Sequence, residues 1–210
     1  MKKLLLLTVL SLFATTGHAN QKAITDTGAE VILKSDGTWV YANADAKPKD
    51  TAININNAVF SKSKNQTFQL KSTKNDAAIW LDPSKWSFRK PAATAPGEYE
   101  FQLKGRDLYG MAITEGVQIG IEALADVALV NARSADPDAA VVKREYRVVN
   151  GRKLIFQELA GTIQSIPFTY LGYYYSDASG STQFITYTGS NLVDKYRPEI
   201  TEFLNGLVTQ

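Results

Sequence analysis

The stretch VVKREYRVVNGRKLIFQELA, residues 141–160, decides the fold class of this chain. Two runs rich in β-branched and aromatic residues flank Asn150-Gly151, a dipeptide typical of two-residue hairpin turns because both of its residues tolerate positive φ. We therefore predict antiparallel strands at 141–149 and 152–160. An antiparallel sheet is accordingly the expected centre of the fold.

The two-residue turn also fixes which residues of the hairpin face each other. Counting outward from the turn places Tyr146 opposite Ile155 and Lys143 opposite Glu158. Opposite charges at facing positions of neighbouring strands attract each other, so we predict a cross-strand ion pair between Lys143 and Glu158.

Further strand patterns lie on both sides of this hairpin. Residues 166–176 and 182–188 form a second predicted hairpin around a turn at 177–180. Shorter strands with turn residues between them precede the hairpin, at 67–71, 78–81, 86–89, 98–103 and 108–115. Together these patterns predict an α+β fold dominated by strands.

Two segments have the apolar spacing of helices. In the first, apolar residues recur at three- and four-residue intervals, as one face of a helix requires: Ile121, Leu124, Ala125, Ala128, Leu129 and Ala132. The second is expected to begin near Pro198, which suits a first helical turn. Its predicted buried stripe is Ile200, Phe203, Leu204 and Leu207.

The N-terminal quarter divides into three parts. Residues 1–19 are typical of a secretion signal, with Lys2-Lys3, an apolar run too short to span a bilayer, and a small-residue cleavage site ending at Ala19. Residues 20–42 are predicted as a small β-meander, 43–57 as a linker, and 58–210 as the main domain. We expect a periplasmic or secreted protein.

Composition excludes several kinds of chemistry. The chain has no cysteine and a single histidine, His18, which lies inside the predicted signal. The processed chain would contain 21 basic and 21 acidic residues. Histidine-dependent catalysis, disulfides and zinc sites with His or Cys ligands are therefore excluded, and the neutral balance gives no basis for nucleic-acid binding. We expect a monomer without metal, cofactor or later transmembrane segment.

Carboxylates are the remaining conventional acid–base groups. The candidates are Glu115, Glu122, Asp126, Glu145 and Glu158. A glycoside hydrolase needs two carboxyl groups that face each other across a cleft, and sequence spacing does not reveal such a pair. An envelope glycan hydrolase therefore remains the alternative to a non-catalytic binding protein.

Tyrosines are concentrated in the strand at 166–176. Because side chains alternate along a strand, Tyr170 and Tyr174 belong to one face, while Tyr173 and Tyr175 belong to the other. Aromatic residues on both faces fit a sheet covered on both sides. They equally fit a groove in which one group of tyrosines binds a glycan or a peptide.

Four aromatic residues are candidate binding residues under the second interpretation. Three are Tyr173, Tyr175 and Tyr187, the last lying on the partner strand of the hairpin. The fourth is Trp39, because a meander of about 20 residues is too small to bury an indole ring internally. An envelope protein or a glycan is the expected partner.

Four stretches together resemble the PsbP-like fold, named for an extrinsic protein of photosystem II: WLDPSKW at 80–86, EALADVALVNAR at 122–133, GYYYS at 172–176 and EFLNG at 202–206. The resemblance covers residues 58–210 and implies an antiparallel sheet with helices on its faces. It implies binding or assembly rather than catalysis and carries over no catalytic residue. SDGTW, at 35–39, resembles a small module of secreted proteins.

Overall fold

The chain divides between Asp50 and Thr51 into two units. The computed structural model describes residues 21–24, 30–35, 38–42 and 53–209. The predicted signal segment and most of the predicted linker lie outside these residues. In the first unit, three strands pair in chain order as an antiparallel sheet: β1 (Gln21–Ile24), β2 (Glu30–Leu33) and β3 (Trp39–Tyr41).

The described residues of the second unit form eleven strands in two sheets, two α-helices and one 3-10 helix (Ser190–Leu192). Its strands are β4 (Asn54–Phe60), β5 (Phe68–Lys71), β6 (Ala77–Leu81), β7 (Trp86–Arg89), β8 (Tyr99–Leu103), β9 (Tyr109–Glu115), β10 (Ala140–Val149), β11 (Arg152–Ile163), β12 (Ile166–Asp177), β13 (Gly180–Gly189) and β14 (Leu207–Thr209). The large sheet has the order β4-β10-β11-β12-β13-β9-β8-β7, and the small sheet has the order β14-β6-β5.

One pairing makes the large sheet mixed rather than purely antiparallel. Strand β4 runs parallel to β10, with Asn54 opposite Glu145 and Phe60 opposite Val149. No hairpin links these two strands, so no turn dictates their relative direction. Strand β4 also begins inside the predicted linker, because Asn54 to Asn57 already belong to it.

The central hairpin has the predicted register from the turn to Lys143, beyond which a bulge shifts the pairing by one residue, but it does not have the predicted ion pair. Lys143 lies opposite Glu158, and Tyr146 lies opposite Ile155. However, Lys143 Nζ lies 3.1 Å from a carboxylate oxygen of Glu145, while Arg197 is 3.3 Å from Glu158. The predicted pair is wrong because each charge has a nearer partner, one on its own strand and one on the C-terminal helix.

Helix α1 (Ile121–Ala135) packs on one face of the large sheet and follows the predicted stripe. Its buried residues Leu124, Ala125 and Ala128 contact a cluster that includes Ile155 and Tyr174 of the sheet. The helix lies over β11 and β12.

Helix α2 (Val193–Leu204) packs on the opposite face and begins five residues before Pro198. Proline inside a helix lacks the N–H that would bond to the preceding turn. Buried Val193 and Tyr196 nevertheless hold that turn in the core. Leu207, predicted on the helical stripe, belongs instead to β14 and pairs with Ile79.

The two faces of the large sheet are covered unequally. Eight strands spaced about 4.8 Å apart are about 34 Å wide, whereas one helix is about 10 Å across. Helix α2 and the small sheet share one face, and their side chains form a continuous core with it. Within the described residues of the second unit, α1 is the helix on the other face, and it lies over β11 and β12, so the half of that face formed by β13, β9 and β8 lies beside the helix rather than beneath it.

Candidate functional site

A row of three tyrosines crosses the open half of this face. Tyr170 lies opposite Tyr187, and Tyr187 lies opposite Tyr109 on the next strand. The ring centroids are 5.8 Å apart for the first pair and 5.6 Å for the second, so the rings are in contact. All three side chains are half-buried. We call this set the tyrosine row.

Between α1 and the open face lies a cleft of about 390 Å³, which we call the apolar groove. Its walls combine sheet residues with small residues of the helix: Met111, Ile113, Ala128, Ala132, Tyr170 and Ile185. Asn131 and Gln183 add the amide groups of the lining. None of the described residues that line the groove is charged.

The absence of a side chain at Gly172 helps to keep the groove open. It lies between Tyr170 and Tyr174 along β12 and opposite Ile185. A Cβ atom at this position would lie 3.0 Å from Cγ1 of Ile185 and 3.3 Å from Cε2 of Tyr174. A larger residue would therefore push these side chains into the groove.

A second cleft, of about 330 Å³, lies on the other side of the tyrosine row. The lining of this polar recess combines polar residues with aromatic ones: Ser87, Phe88, Arg89, Glu100, Phe101, Gln102, Tyr109 and Tyr187. Arg89 and Glu100 form an ion pair of 2.5 Å between strands β7 and β8, so their charges cancel. Hydroxyl, amide, guanidinium and carboxylate groups thus converge beside aromatic rings.

The recess and the groove adjoin each other at two points. Glu100 of the recess lies opposite Met111 of the groove on the neighbouring strand. Tyr187 of the recess contacts the Tyr170 ring, which lines the groove. The open face therefore presents one surface with an apolar end and a polar end.

Two tyrosines of the row, Tyr170 and Tyr187, are neutral at physiological pH. Burial raises the pKa of the Tyr170 hydroxyl, and burial together with nearby Glu100 raises the pKa of the Tyr187 hydroxyl. Both groups therefore stay protonated and can donate a hydrogen bond to a ligand.

The structure separates the tyrosines predicted as binding residues. Tyr187 lies on the open face, in the tyrosine row. Tyr173 and Tyr175 lie on the opposite face, where they are 0% and 8% exposed within the core. The Tyr173 hydroxyl donates to Asn205 at 2.8 Å, and the Tyr175 hydroxyl donates to Asp177 at 2.8 Å. Packing and these bonds account for both residues.

Trp39 was predicted as a binding residue and Tyr109 was not, and the structure places only Tyr109 in the tyrosine row. Trp39 is part of β3, and its side chain lies outside the described residues. Tyr109 was not predicted, because its neighbour Tyr187 is supplied by β13, and no hairpin joins β9 to β13. The apolar alternation of residues 108–115 predicted the strand but did not indicate that Tyr109 lies beside Tyr187.

Among the candidate carboxylates, Glu145 and Glu158 have cationic partners. Glu145 is buried and accepts hydrogen bonds from Asn56 at 2.9 Å and Arg147 at 2.7 Å. Burial alone would raise the Glu145 pKa, but these bonds and the contact with Lys143 outweigh it and hold the pKa below its usual value. Glu158 is buried beside Arg197.

The other three candidates belong to helix α1 or to the end of β9. Glu122 accepts a hydrogen bond from the Tyr146 hydroxyl at 2.6 Å, which lowers the Glu122 pKa. Asp126 pairs with Arg144 at 2.7 Å, and Glu115 is exposed. In the described part of the chain, every carboxyl group with a displaced pKa has it lowered.

The described residues contain neither a metal-binding cluster nor a helix that could span a membrane. Across residues 21–24, 30–35, 38–42 and 53–209, no three acidic or histidine side chains gather closely enough to hold a metal ion. Neither helix in this part of the chain has the length and apolar character needed to cross a bilayer.

Comparison with known proteins gives a fold but no family. No family model and no curated protein matches the chain. The solution structure of cyanobacterial PsbP (CyanoP) from Synechocystis sp. PCC 6803 matches 68% of this chain and 92% of its own, with a TM-score of 0.55 and 14% identity.

Two crystal structures are more distant. A protein of unknown function from Pseudomonas aeruginosa matches 68% of this chain and 96% of its own, with a TM-score of 0.44 and 10% identity. A protein from Bacteroides thetaiotaomicron matches 69% of this chain and 49% of its own, with a TM-score of 0.41 and 11% identity. The likeness to cyanobacterial PsbP shows that this chain has a PsbP-like α+β fold.

Proposed function

We propose that this chain is a non-catalytic binding protein of the cell envelope, and that it holds an uncharged, largely apolar ligand in the apolar groove. The observation that carries the proposal is the groove itself, about 390 Å³ between α1 and the uncovered half of the sheet. Small-molecule sites are typically clefts of about 300 to 1,000 Å³ with mostly apolar walls and a few polar groups.

The lining favours an uncharged ligand over a charged one. A charge placed in an apolar cleft loses its hydration and needs a partner of opposite sign. The side chains of the described lining supply as polar groups the amides of Asn131 and Gln183 and the neutral hydroxyls of Tyr170 and Tyr174. These groups can orient a ligand through hydrogen bonds without compensating a charge.

The envelope location is the part of the proposal that depends on the sequence. Lys2-Lys3, the apolar run that follows, and the small residue Ala19 are typical of a segment that directs secretion and is then removed. A binding protein in that compartment would take its ligand from the envelope itself.

Glycan hydrolysis, the alternative function, has less support. Hydrolysis requires one carboxylic acid that remains protonated near neutral pH, and such a group has a raised pKa. The shifted carboxyl groups of the described residues have lowered pKa values, and Glu145 is tied to cationic partners. These observations favour binding over catalysis.

The test uses N-phenylnaphthylamine, an uncharged apolar dye whose fluorescence increases in an apolar site. We expect saturable binding to the full chain. Ala132→Phe places a ring inside the groove and should weaken binding at least about tenfold. Ala123→Phe, on the exposed side of the same helix, is the matched control and should bind as the wild type does.

Far-UV circular dichroism and thermal unfolding would establish that both variants fold. The proposal is refuted if the wild type shows no saturable binding. It is equally refuted if folded Ala132→Phe binds the dye as tightly as the Ala123→Phe control.

A further inference from the structure

The polar recess gives the open face a second chemical character next to the apolar groove. The recess has about 330 Å³ and the groove about 390 Å³. Since they meet at the tyrosine row, a ligand longer than the groove extends into the recess. The chemistry of both clefts therefore constrains the ligand.

We infer that the ligand is a glycolipid-like amphiphile, with one apolar chain in the apolar groove and an uncharged, hydroxyl-rich head in the polar recess. This inference rests on the proposed function, because it specifies the ligand class of the same site. It adds a polar head, a direction of binding and a role for the residues beyond the tyrosine row.

The recess suits hydroxyl groups because it offers donors and acceptors side by side. Arg89 supplies only donors and Glu100 only acceptors, and their atoms are 2.5 Å apart. A hydroxyl group both donates and accepts, so one hydroxyl can contact both side chains. Gln102 and Ser87 offer further donors and acceptors at the same place.

The charge of the recess disfavours an ionic head. The only charged side chains among its described lining are Arg89 and Glu100, which neutralise each other. An anionic head would be attracted by the arginine but repelled by the glutamate, and a cationic head would experience the reverse. Tyr109 and Tyr187 add aromatic surface for the apolar C–H groups of a sugar ring.

The test compares heads on one chain by displacement of N-phenylnaphthylamine from the full chain. The probes are decyl maltoside, decanoate and decyltrimethylammonium, each used below its micelle-forming concentration, and maltose alone. We expect decyl maltoside to displace the dye at about tenfold lower concentration than either charged amphiphile. Shortening the chain from decyl to octyl should weaken binding about fifteenfold, because it removes two methylenes and each buried methylene contributes about fourfold.

Glu100→Ala identifies the recess as the site of the head. This variant leaves Arg89 without its partner, so the recess becomes positive. We expect weaker binding of decyl maltoside and tighter binding of decanoate, with unchanged affinity for the dye. Asp194→Ala removes an exposed carboxylate of α2 and should change none of these values.

Each other outcome has a definite meaning. Equal displacement by the three decyl compounds, or displacement by none of them, overturns the inference while the dye-binding result still supports the proposed function. Maltose that displaces the dye at the same concentration as decyl maltoside also overturns it, because the chain then contributes nothing to binding. Loss of dye binding by Ala132→Phe is a separate result, which tests the proposed function alone.

Discussion

Replacing Glu145 by glutamine should lower the free energy of unfolding by about 3 to 5 kcal/mol. Glu145 and Arg147 are buried side chains with 7% and 10% exposure, and their atoms are 2.7 Å apart. The Arg147 guanidinium also packs on the Phe156 ring, 3.7 Å from its centroid. It therefore stays in place when its partner is removed.

The magnitude follows from the charge that remains. Glutamine has the shape of glutamate and can still accept the hydrogen bond from Asn56, which is 2.9 Å long. It cannot neutralise Arg147, and breaking a buried pair by removing one charge typically costs about 3 to 5 kcal/mol. Lys143 adds a second cation, 3.1 Å from the same carboxylate, and increases the repulsion.

The measurement is urea-induced unfolding followed by far-UV circular dichroism. Glu115→Gln is the matched control, because Glu115 is an exposed residue of the same sheet. Its unfolding free energy should remain within about 0.5 kcal/mol of the wild-type value. The double variant Glu145→Leu with Arg147→Leu should recover most of the loss, because it removes both charges together.

A change below about 1 kcal/mol for Glu145→Gln would contradict the reasoning, which requires Arg147 to depend on this carboxylate. A double variant as unstable as the single one would contradict it as well. The cost would then come from the shape of the side chain rather than from the unpaired charge.

Three further predictions concern the second unit. Burial disfavours the charged form of Glu98, but hydrogen bonds to the carboxylate outweigh burial and hold the Glu98 pKa below its usual value of 4.5. The stabilising effect of the ionised carboxylate should therefore be lost as the pH falls below 4.5. Glu98→Gln should flatten the acid limb of a curve of unfolding free energy against pH. Gly206→Ala should cost about 1 to 3 kcal/mol in urea unfolding, because its Cβ would lie 1.9 Å from the Trp80 carbonyl oxygen, and wild-type stability would contradict this. Asn150→Ala should lower the melting temperature by several degrees, because the Asn150 amide donates hydrogen bonds of 2.8 and 2.7 Å to the carbonyls of Asn205 and Leu207. An unchanged melting temperature would show that these two bonds make no net contribution to stability.

Local sequence signals predicted the parts of the fold whose information is local. Asn150-Gly151 gave the register of β10 and β11 because a two-residue turn permits one alignment. The apolar spacing of residues 121–132 gave the buried side of α1 because a helix repeats every 3.6 residues. Both features depend on residues close together in the chain.

Features that depend on distant residues were not predictable in this way. The parallel direction of β4 is set by β10, about 90 residues later in the chain. The early start of α2 reflects the burial of Val193 and Tyr196, which overrides the preference of Pro198 for a first turn. Local patterns do not report these contacts.

The candidate site shows the same division. Strand alternation correctly assigned Tyr173 and Tyr175 to one face and Tyr170 and Tyr174 to the other, but alternation does not say which face is covered. The part of a sheet face that a helix covers depends on the width of the helix relative to the spacing of the strands. Each helix covers about two strands, since helices are about 10 Å across and strands about 4.8 Å apart. The two α-helices of the described residues therefore cannot by themselves cover both faces of an eight-stranded sheet.

Within the described residues of the second unit, one face therefore remains partly uncovered, and the small sheet determines which one. Strands β5, β6 and β14 join α2 on the side of Tyr173, which leaves α1 as the described helix of this unit on the side of Tyr170. The last of these strands comes from residues 207–209, after every tyrosine of the site. Pairing of β14 with β6 thus helps to enclose Tyr173 and Tyr175 in the core, while Tyr170 lines the groove that we propose as the binding site.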